Sequence, residues 1–309
     1  MEGGKKLPHS KETLVRRKVP KIGFHAPIKN GLHNALVIAR DTGCTAVQLF
    51  SRNPRGWAAK PLTAPDINLF KKIKRSTKLS PVIIHCNYLV NLCSTDDALL
   101  QKSRASFREE LERAIALGVD YLVVHPGSAR GSCEPEGIGM CAESLKITCK
   151  GLRLGSLQIL LENTAGQGEC IGHRFEHLQQ IMDACPKVPL GVCIDTAHAF
   201  TAGYDIREDD GLEATVQAIH RTVGTNNVRA IHFNDSRAPY NSRVDRHWHI
   251  GEGHIGTEAL RRVAQHRKFA HAAFILETPY DDPRADVRNL QMLRSFVSEG
   301  CNARGRSTI

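Results

Sequence analysis

The sequence predicts an α/β protein, a single-domain (β/α)8 or TIM barrel, and three observations carry that prediction. Eight short strand-like runs alternate with helix-length amphipathic segments along 309 residues, the count and length of such a barrel. The runs are near-continuously apolar, as parallel strands covered on both faces must be. Six consecutive runs (PVIIH, YLVVH, QILLE, VCIDTAH, VRAIH and AFILE) end in His, Asp or Glu, at the strand ends where barrels build their active sites.

The strand-like runs are 21–27, 45–50, 81–86, 121–126, 158–163, 190–195, 228–234 and 272–277. Clear helical segments are 31–42, 94–117 and 174–185, with 286–299 after the last strand. Ala98, Leu99, Ala105, Phe107, Leu111, Ala114, Ile115 and Leu117 follow a 3.6-residue period. No Pro/Gly/Ser-rich linker divides the chain, so one domain is expected over 21–298. A basic, mobile leader (1–20) would precede it and a tail (299–309) would follow. The RRK of the leader reads as a solvated charge run, with DNA binding or nuclear import as alternatives.

Composition narrows the classes. Lys and Arg number 42 and Asp and Glu 32, a net charge of +10 that favours a polyanionic partner such as nucleic acid. No run of about 18 apolar residues is present, and the first residues lack the apolar core of a secretory signal. Ten cysteines without a C-x-x-C pair argue against a cysteine zinc ribbon and for a reducing, intracellular setting, though a disulfide stays open.

Nine candidate ligands lie at or just beyond the strand ends: His85, His125, Glu162, Asp195, His198, His232, Asp245, His247 and Glu277. Any one of these histidines alone is more often a hydrogen-bonded structural group. Together they are hard to explain without metal, because buried strand ends avoid ionisable groups unless these pair or bind an ion. One zinc takes about four ligands; nine suit about three ions if a carboxylate is shared. Asp195 and His198 serve neighbouring ions from one strand end, and His198 can complete a third site with Asp245 and His247. Glu162 or Glu277 can offer one oxygen to each of two ions. His25 reads equally as a partner of a ligand or as packing. His9 lies in the leader; His173, His177, His220, His266 and His271 read as surface or packing groups, and His249 and His254 are left unassigned. The segment Gly251-Glu-Gly253-His-Ile-Gly256 matches G-x-G-x-x-G but follows a polar loop rather than a strand, so it reads as a tight turn returning Asp245 and His247 to the metals, not a dinucleotide site. P-loop and nucleophile-elbow motifs are absent from the sequence.

These segments resemble the endonuclease IV family of abasic-site DNA repair enzymes. The resemblance rests on His85-x-x-Tyr-Leu-x-Asn-Leu92, His125-Pro-Gly-Ser128, Leu161-Glu-Asn-Thr-Ala-Gly-Gln-Gly168 and Cys193-x-Asp-Thr-x-His-Ala-Phe-x-Ala-Gly-Tyr-Asp205. It continues through His232-x-Asn-Asp-Ser236, Asp245-Arg-His-x-x-Ile-Gly-x-Gly-x-Ile-Gly256 and Leu276-Glu-Thr-Pro279, spanning about 21–297. Asn241 and Arg237 depart from the family's usual glycine and lysine, away from any ligand. The resemblance implies three Zn2+ per chain, with Mn2+ at some sites as an alternative. Glu162 would bridge two ions and position the attacking hydroxide. His85 and His125 would complete one ion, Asp195, His232 and Glu277 the second, and His198, Asp245 and His247 the third. Zinc lowers the pKa of bound water and is redox-inert, so hydrolysis is expected, with Glu162 and Glu277 as the catalytic carboxylates.

The implied reaction is cleavage of the phosphodiester 5′ to an abasic site, leaving a 3′-hydroxyl and a 5′-deoxyribose phosphate, with cleaning of 3′-blocked ends by the same displacement. The implied partner is double-stranded DNA with abasic sites or 3′-blocked ends, met by a monomer, with no membrane, in an intracellular DNA-containing compartment, nuclear or cytoplasmic. Arg55, Tyr88 and Leu89, after the second and third strands, are the expected minor-groove residues; packing at the mouth and a phosphate contact are the alternative roles. Two rivals remain. A sugar isomerase or epimerase on a similar barrel would use Glu162, Asp195, His232 and Glu277 around one or two ions. A zinc-stabilised DNA-binding module would bind duplexes without incising them.

Overall fold

The computed structural model describes residues 19–302. Eight parallel strands form the barrel: β1 (Lys21–Phe24), β2 (Val47–Phe50), β3 (Val82–His85), β4 (Tyr121–Val124), β5 (Gln158–Glu162), β6 (Leu190–Asp195), β7 (Val228–His232) and β8 (Ala273–Leu276). Their order around the sheet is β1-β8-β7-β6-β5-β4-β3-β2. Backbone hydrogen bonds close the remaining seam, from Ala46 N to Ile22 O at 3.0 Å and from Ala26 N to Gln48 O at 2.8 Å, about a bridge between His25 and Gln48. The prediction of a single barrel domain therefore holds.

Strand alternation divides the core in two. Ala46, Ile83, Val123, Leu160, Cys193, Ala230, Ala273 and Ile275 point inward and fill the barrel. Their neighbours in sequence, among them Val82, Ile84, Leu122, Ile159, Leu161, Val192 and Phe274, point outward beneath the helices. Two positions beyond the inward apolar residues, the same phase delivers His85, His125, Glu162, Asp195, His232 and Glu277 to the mouth.

The covering helices are α1 (Leu32–Asp41), α2 (Ala64–Thr77), α3 (Asp97–Leu117), α4 (Glu134–Cys149), α5 (Phe175–Ala184), α6 (Thr196–Thr201), α7 (Asp209–Arg221), α8 (Thr257–Gln265) and α9 (Ala285–Asn302). Local chemistry sets their ends. Thr63 and Asp66 form a capping box at the start of α2. Asp96 caps α3 by accepting from Leu99 N at 2.8 Å, and Gly118, at φ 67°, ends it. Helix α6 starts without a loop, because the Asp195 carboxylate caps it by accepting from His198 N at 2.7 Å.

Three expectations need correction. The strands are mostly one to three residues shorter than read, so His125 and Glu277 lie one residue past their strands. The loops contain two short antiparallel ribbons, Gly127–Ser128 with Cys170–Ile171 and Asp235–Ser236 with His247–Trp248, so His247 sits on a strand pair rather than in open loop. Two residues are too few to show a period in sequence. Helix α9 continues to Asn302, across the boundary placed at 298/299. The rest of the expected leader and tail, 1–18 and 303–309, lies outside the described residues. Nine cysteines, Cys44 to Cys193, are free thiols. Among the described residues no helix is long and apolar enough to cross a membrane.

Candidate metal centre

All nine predicted ligands converge at the barrel mouth, and Glu162 stands at their centre. Its carboxylate is fully buried and its two oxygens face different groups. Oε2 lies 3.1 Å from His85 Nε2 and 3.0 Å from His125 Nε2. Oε1 lies 2.8 Å from His232 Nδ1, which is itself 3.1 Å from Glu277 Oε2. Asp195 belongs to this second group: one ligand atom each from Glu162, Asp195, His232 and Glu277 lies within 4.8 Å of the others. A third group forms where α6 meets the 235–248 ribbon. Asp245 Oδ1 is 3.2 Å from His198 Nε2 and 3.5 Å from His247 Nε2, and the two imidazole nitrogens are 3.3 Å apart. Asp195 Oδ2, 3.4 Å from His247 Nε2, joins this group to the second.

The histidines are oriented from behind. A carbonyl can only accept, so each ring nitrogen facing one carries a proton. Nδ1 of His85 donates to Cys86 O at 2.7 Å, that of His198 to Asn163 O at 2.9 Å, and that of His247 to Glu277 O at 3.2 Å. Each ring thereby turns an Nε2 lone pair toward the carboxylates, as histidine ligands do when a backing acceptor fixes their tautomer. The acids are likewise held. Asn234 Nδ2 donates to Asp195 Oδ2 at 2.7 Å, its Oδ1 accepts from Glu277 N at 2.8 Å, and Asn163 Oδ1 accepts from Asp195 N at 2.7 Å. These donors fit a set of divalent ions held by oxygen and imidazole nitrogen.

Burial works against charge on Glu162, Glu277, Asp245, His198 and His232, and these five groups overcome it by pairing. His232 and His125 hold the Glu162 carboxyl well below its usual range despite burial, and His232 does the same for Glu277. His198, His247 and His125 lower Asp245 against its burial. Burial opposes protonation of His198 and His232, yet Asp195 and Asp245 raise the first, and Cys193, Glu162 and Glu277 raise the second. Cations entering such a cluster displace protons from the imidazoles.

The expected DNA-contacting residues lie at one side of the mouth. Tyr88 is exposed and packs edge-on against Phe50 at 5.3 Å. Leu89 is half-buried, and Arg55 is exposed on the loop after β2. Tyr88 N donates to Pro54 O at 3.1 Å, which joins the two loops. The loop after β2 is anchored internally: Arg52 Nε lies 2.7 Å from Glu110 Oε1, and Ser51 donates to Glu110 Oε2 at 2.6 Å. Of the three, Tyr88 comes against the cluster, its ring centroid 5.8 Å from that of His85.

Some readings change. His25 approaches a predicted ligand, with Nδ1 3.3 Å from Glu277 Oε1. Of the surface and packing roles read for His173 and His177, packing holds: both are buried and share the Glu134 carboxylate, at 3.3 and 3.2 Å. The glycine-rich loop folds around the Asp235 carboxylate, which accepts from the backbone N–H of Gly251, Gly253, Ile255 and Gly256 at 2.9–3.2 Å. Those donors are spent, so the loop has none left for a phosphate. Gly253 is required, because a Cβ there would lie 2.4 Å from Ser236 O. Gln48, fully buried among the predicted ligands, has no counterpart in the sequence reading; the signal available was an amide inside the apolar run TAVQLF, two residues from the strand end.

Comparison with known proteins agrees with this geometry. Residues 36–296 match the model of a family described as xylose isomerase-like TIM barrel. A Solibacter usitatus protein named "Probable endonuclease 4" is 46% identical over 280 residues, covering 90% of this chain and 97% of that protein. The crystal structure of endonuclease IV from Thermus thermophilus superposes with a TM-score of 0.81 at 39% identity, covering 91% of this chain and 100% of that one. A D-tagatose 3-epimerase-like protein superposes at 0.69 with 17% identity over 92% of this chain and 99% of that one, a likeness of fold alone. The chain belongs to the endonuclease IV family, within the xylose isomerase-like TIM barrels.

Proposed function

We propose that this chain hydrolyses the phosphodiester 5′ to abasic sites in duplex DNA, using three zinc ions held by the nine residues above. The observation that carries the reading is the Glu162 carboxylate, whose two oxygens face separate imidazole groups. His85, His125 and Glu162 would hold one ion; Glu162, Asp195, His232 and Glu277 a second; His198, Asp245 and His247 a third. Zinc supplies there a water of lowered pKa and positive charge for the attacking and leaving oxygens of an in-line displacement. Manganese at some sites suits the all nitrogen and oxygen donor set as well.

The protein's own groups do the positioning. Glu162 and Glu277 fix the negative side of the site, and the backing carbonyls of Cys86, Asn163 and Glu277 hold the imidazoles without reorganisation. Arg55, Tyr88 and Leu89 fill the gap left by the missing base and hold the duplex bent. An abasic nucleotide rotates out of the helix cheaply because little stacking is lost. Basic side chains, including Lys102 over Trp57 and Arg237 over Trp248, each 4.6 Å from the ring, suit a phosphate backbone. Release of 3′-blocking groups is the same displacement at a strand end. A monomer working wherever the cell keeps its DNA completes the proposal.

The experiment is incision of a duplex carrying one synthetic abasic analogue. The reading expects a nick immediately 5′ of the lesion, abolished by metal stripping and restored by zinc. Binding without incision would favour a DNA-binding module, and about one ion per chain would favour an isomerase.

A further inference from the structure

We infer that Gln48 is a positioning residue of the metal centre, setting the tautomer of His232 and the orientation of Glu277. The inference rests on the metal reading above and adds to it a residue outside the ligand set. Gln48 lies on β2 with its side chain inside the barrel and no solvent exposure. Its Nε2 is 2.5 Å from Glu277 Oε1 and 3.0 Å from His25 Nδ1, and its Oε1 is 2.8 Å from His232 Nε2.

The direction of these bonds follows from chemistry. An ionised carboxylate only accepts, so the end of Gln48 facing Glu277 is the NH2 group. The amide oxygen therefore faces His232, and an amide oxygen only accepts, so His232 carries a proton on Nε2. Its Nδ1 is left to face Glu162 Oε1 at 2.8 Å and Glu277 Oε2 at 3.1 Å. Two carboxylate oxygens around that nitrogen are served by a proton on Nδ1 in the metal-free site, and a divalent ion bound there would take that proton's place.

His232 differs from its neighbours in this respect. His85, His198 and His247 donate Nδ1–H to a backbone carbonyl and present Nε2. His232 is turned over, presenting Nδ1, and the acceptor behind it is a side chain. Backbone acceptors cannot be deleted by substitution; Gln48 can. The same amide binds Glu277 Oε1, leaving Oε2 directed at the site, so one residue orients His232 at the end of β7 and Glu277 just past β8.

The test uses full-length, zinc-loaded protein and compares Gln48→Met, which keeps volume but removes both polar ends, with Gln48→Asn, which withdraws the amide. Zinc release into a chromophoric chelator is followed alongside thermal unfolding of the metal-free forms. The expected result is one class of zinc released with about 10- to 100-fold weaker retention, the usual cost of altering a ligand's backing partner. The other ions should keep the parent's rate, and the metal-free variants should still unfold cooperatively, at a lower midpoint because buried partners of Gln48 are left unpaired. Release within twofold of the parent for every ion overturns the inference. So does failure of both variants to fold, which would make Gln48 a packing residue. A parent that retains no zinc fails the metal reading itself, whereas variants that hold zinc as the parent does fail only this one.

Discussion

Glu162 and Asp235 are both fully buried carboxylates at the same end of the barrel, yet their surroundings are opposite. Asp235 accepts from four backbone N–H groups of the 251–256 loop, which close around it. Among the described residues Glu162 accepts from no backbone donor; imidazoles meet both its oxygens. A buried carboxylate enclosed by amides is finished chemistry, and its charge holds a loop in place. One met by three imidazoles, two of which (His85 and His232) already donate their other nitrogen elsewhere, is arranged to share its oxygens with a cation. Burial and charge alone do not distinguish structural acids from metal ligands; the partners do.

Substitutions that separate the two roles should show the largest effects at the imidazole-lined acids. Glu162→Gln and Asp245→Asn should each lower incision by more than about 100-fold, beyond the cost of altering a backing partner, and reduce zinc per chain. Incision and zinc content are measured together, and full activity in Asp245→Asn would contradict the third site. Asp235→Asn should do the reverse. It should cost about 2–3 kcal/mol of stability, because an amide nitrogen would face N–H donors, while zinc per chain in the folded protein stays at the parent's value. Denaturant unfolding and metal analysis read the two quantities, and loss of zinc with unchanged stability would erase the contrast.

A smaller effect is expected at the rim. Tyr88→Ala should weaken binding to abasic duplex by about 1–2 kcal/mol, roughly tenfold in Kd, with less change for intact duplex. Titration of both duplexes checks it, and equal weakening on both would make Tyr88 a packing residue.

The smallest effect concerns Asp286, a third kind of acid, whose carboxyl burial pushes up to about 6. A raised carboxyl favours the folded state below the unfolded carboxylate range and loses that contribution as pH rises through 6. Asp286→Asn should therefore gain about 1 kcal/mol at pH 8, after discounting for partial exposure, and nothing of the kind at pH 3. Thermal unfolding at the two pH values reads it.

The sequence made the barrel and the convergence of ionisable residues at its mouth legible for one reason. Parallel strands are apolar on both faces, so an ionisable residue that ends one stands out, and six in a row repeat the signal. Asp245 and His247 were legible only as two potential ligands one residue apart in the loop after the seventh run, since no strand of readable length carries them. Gln48 was missed because a neutral amide in a strand looks like a tolerated polar residue until its phase around the barrel is known. The buried pairing of His173 and His177 with Glu134 was hidden for another reason. It joins the start of α4 to the segment around α5, and no local pattern links them. The glycine-rich loop was correctly separated from dinucleotide binding by its context, but its real content, the Asp235 carboxylate, emerges only when the hydrogen bonds are counted.

The most direct test of the central claim is zinc per chain after gel filtration, by elemental analysis, for the parent and for Glu162→Gln. The account predicts about three ions in the parent and fewer in the variant, because one carboxylate serves two of them. A parent with one ion or none, or a variant that keeps the full set, would contradict it.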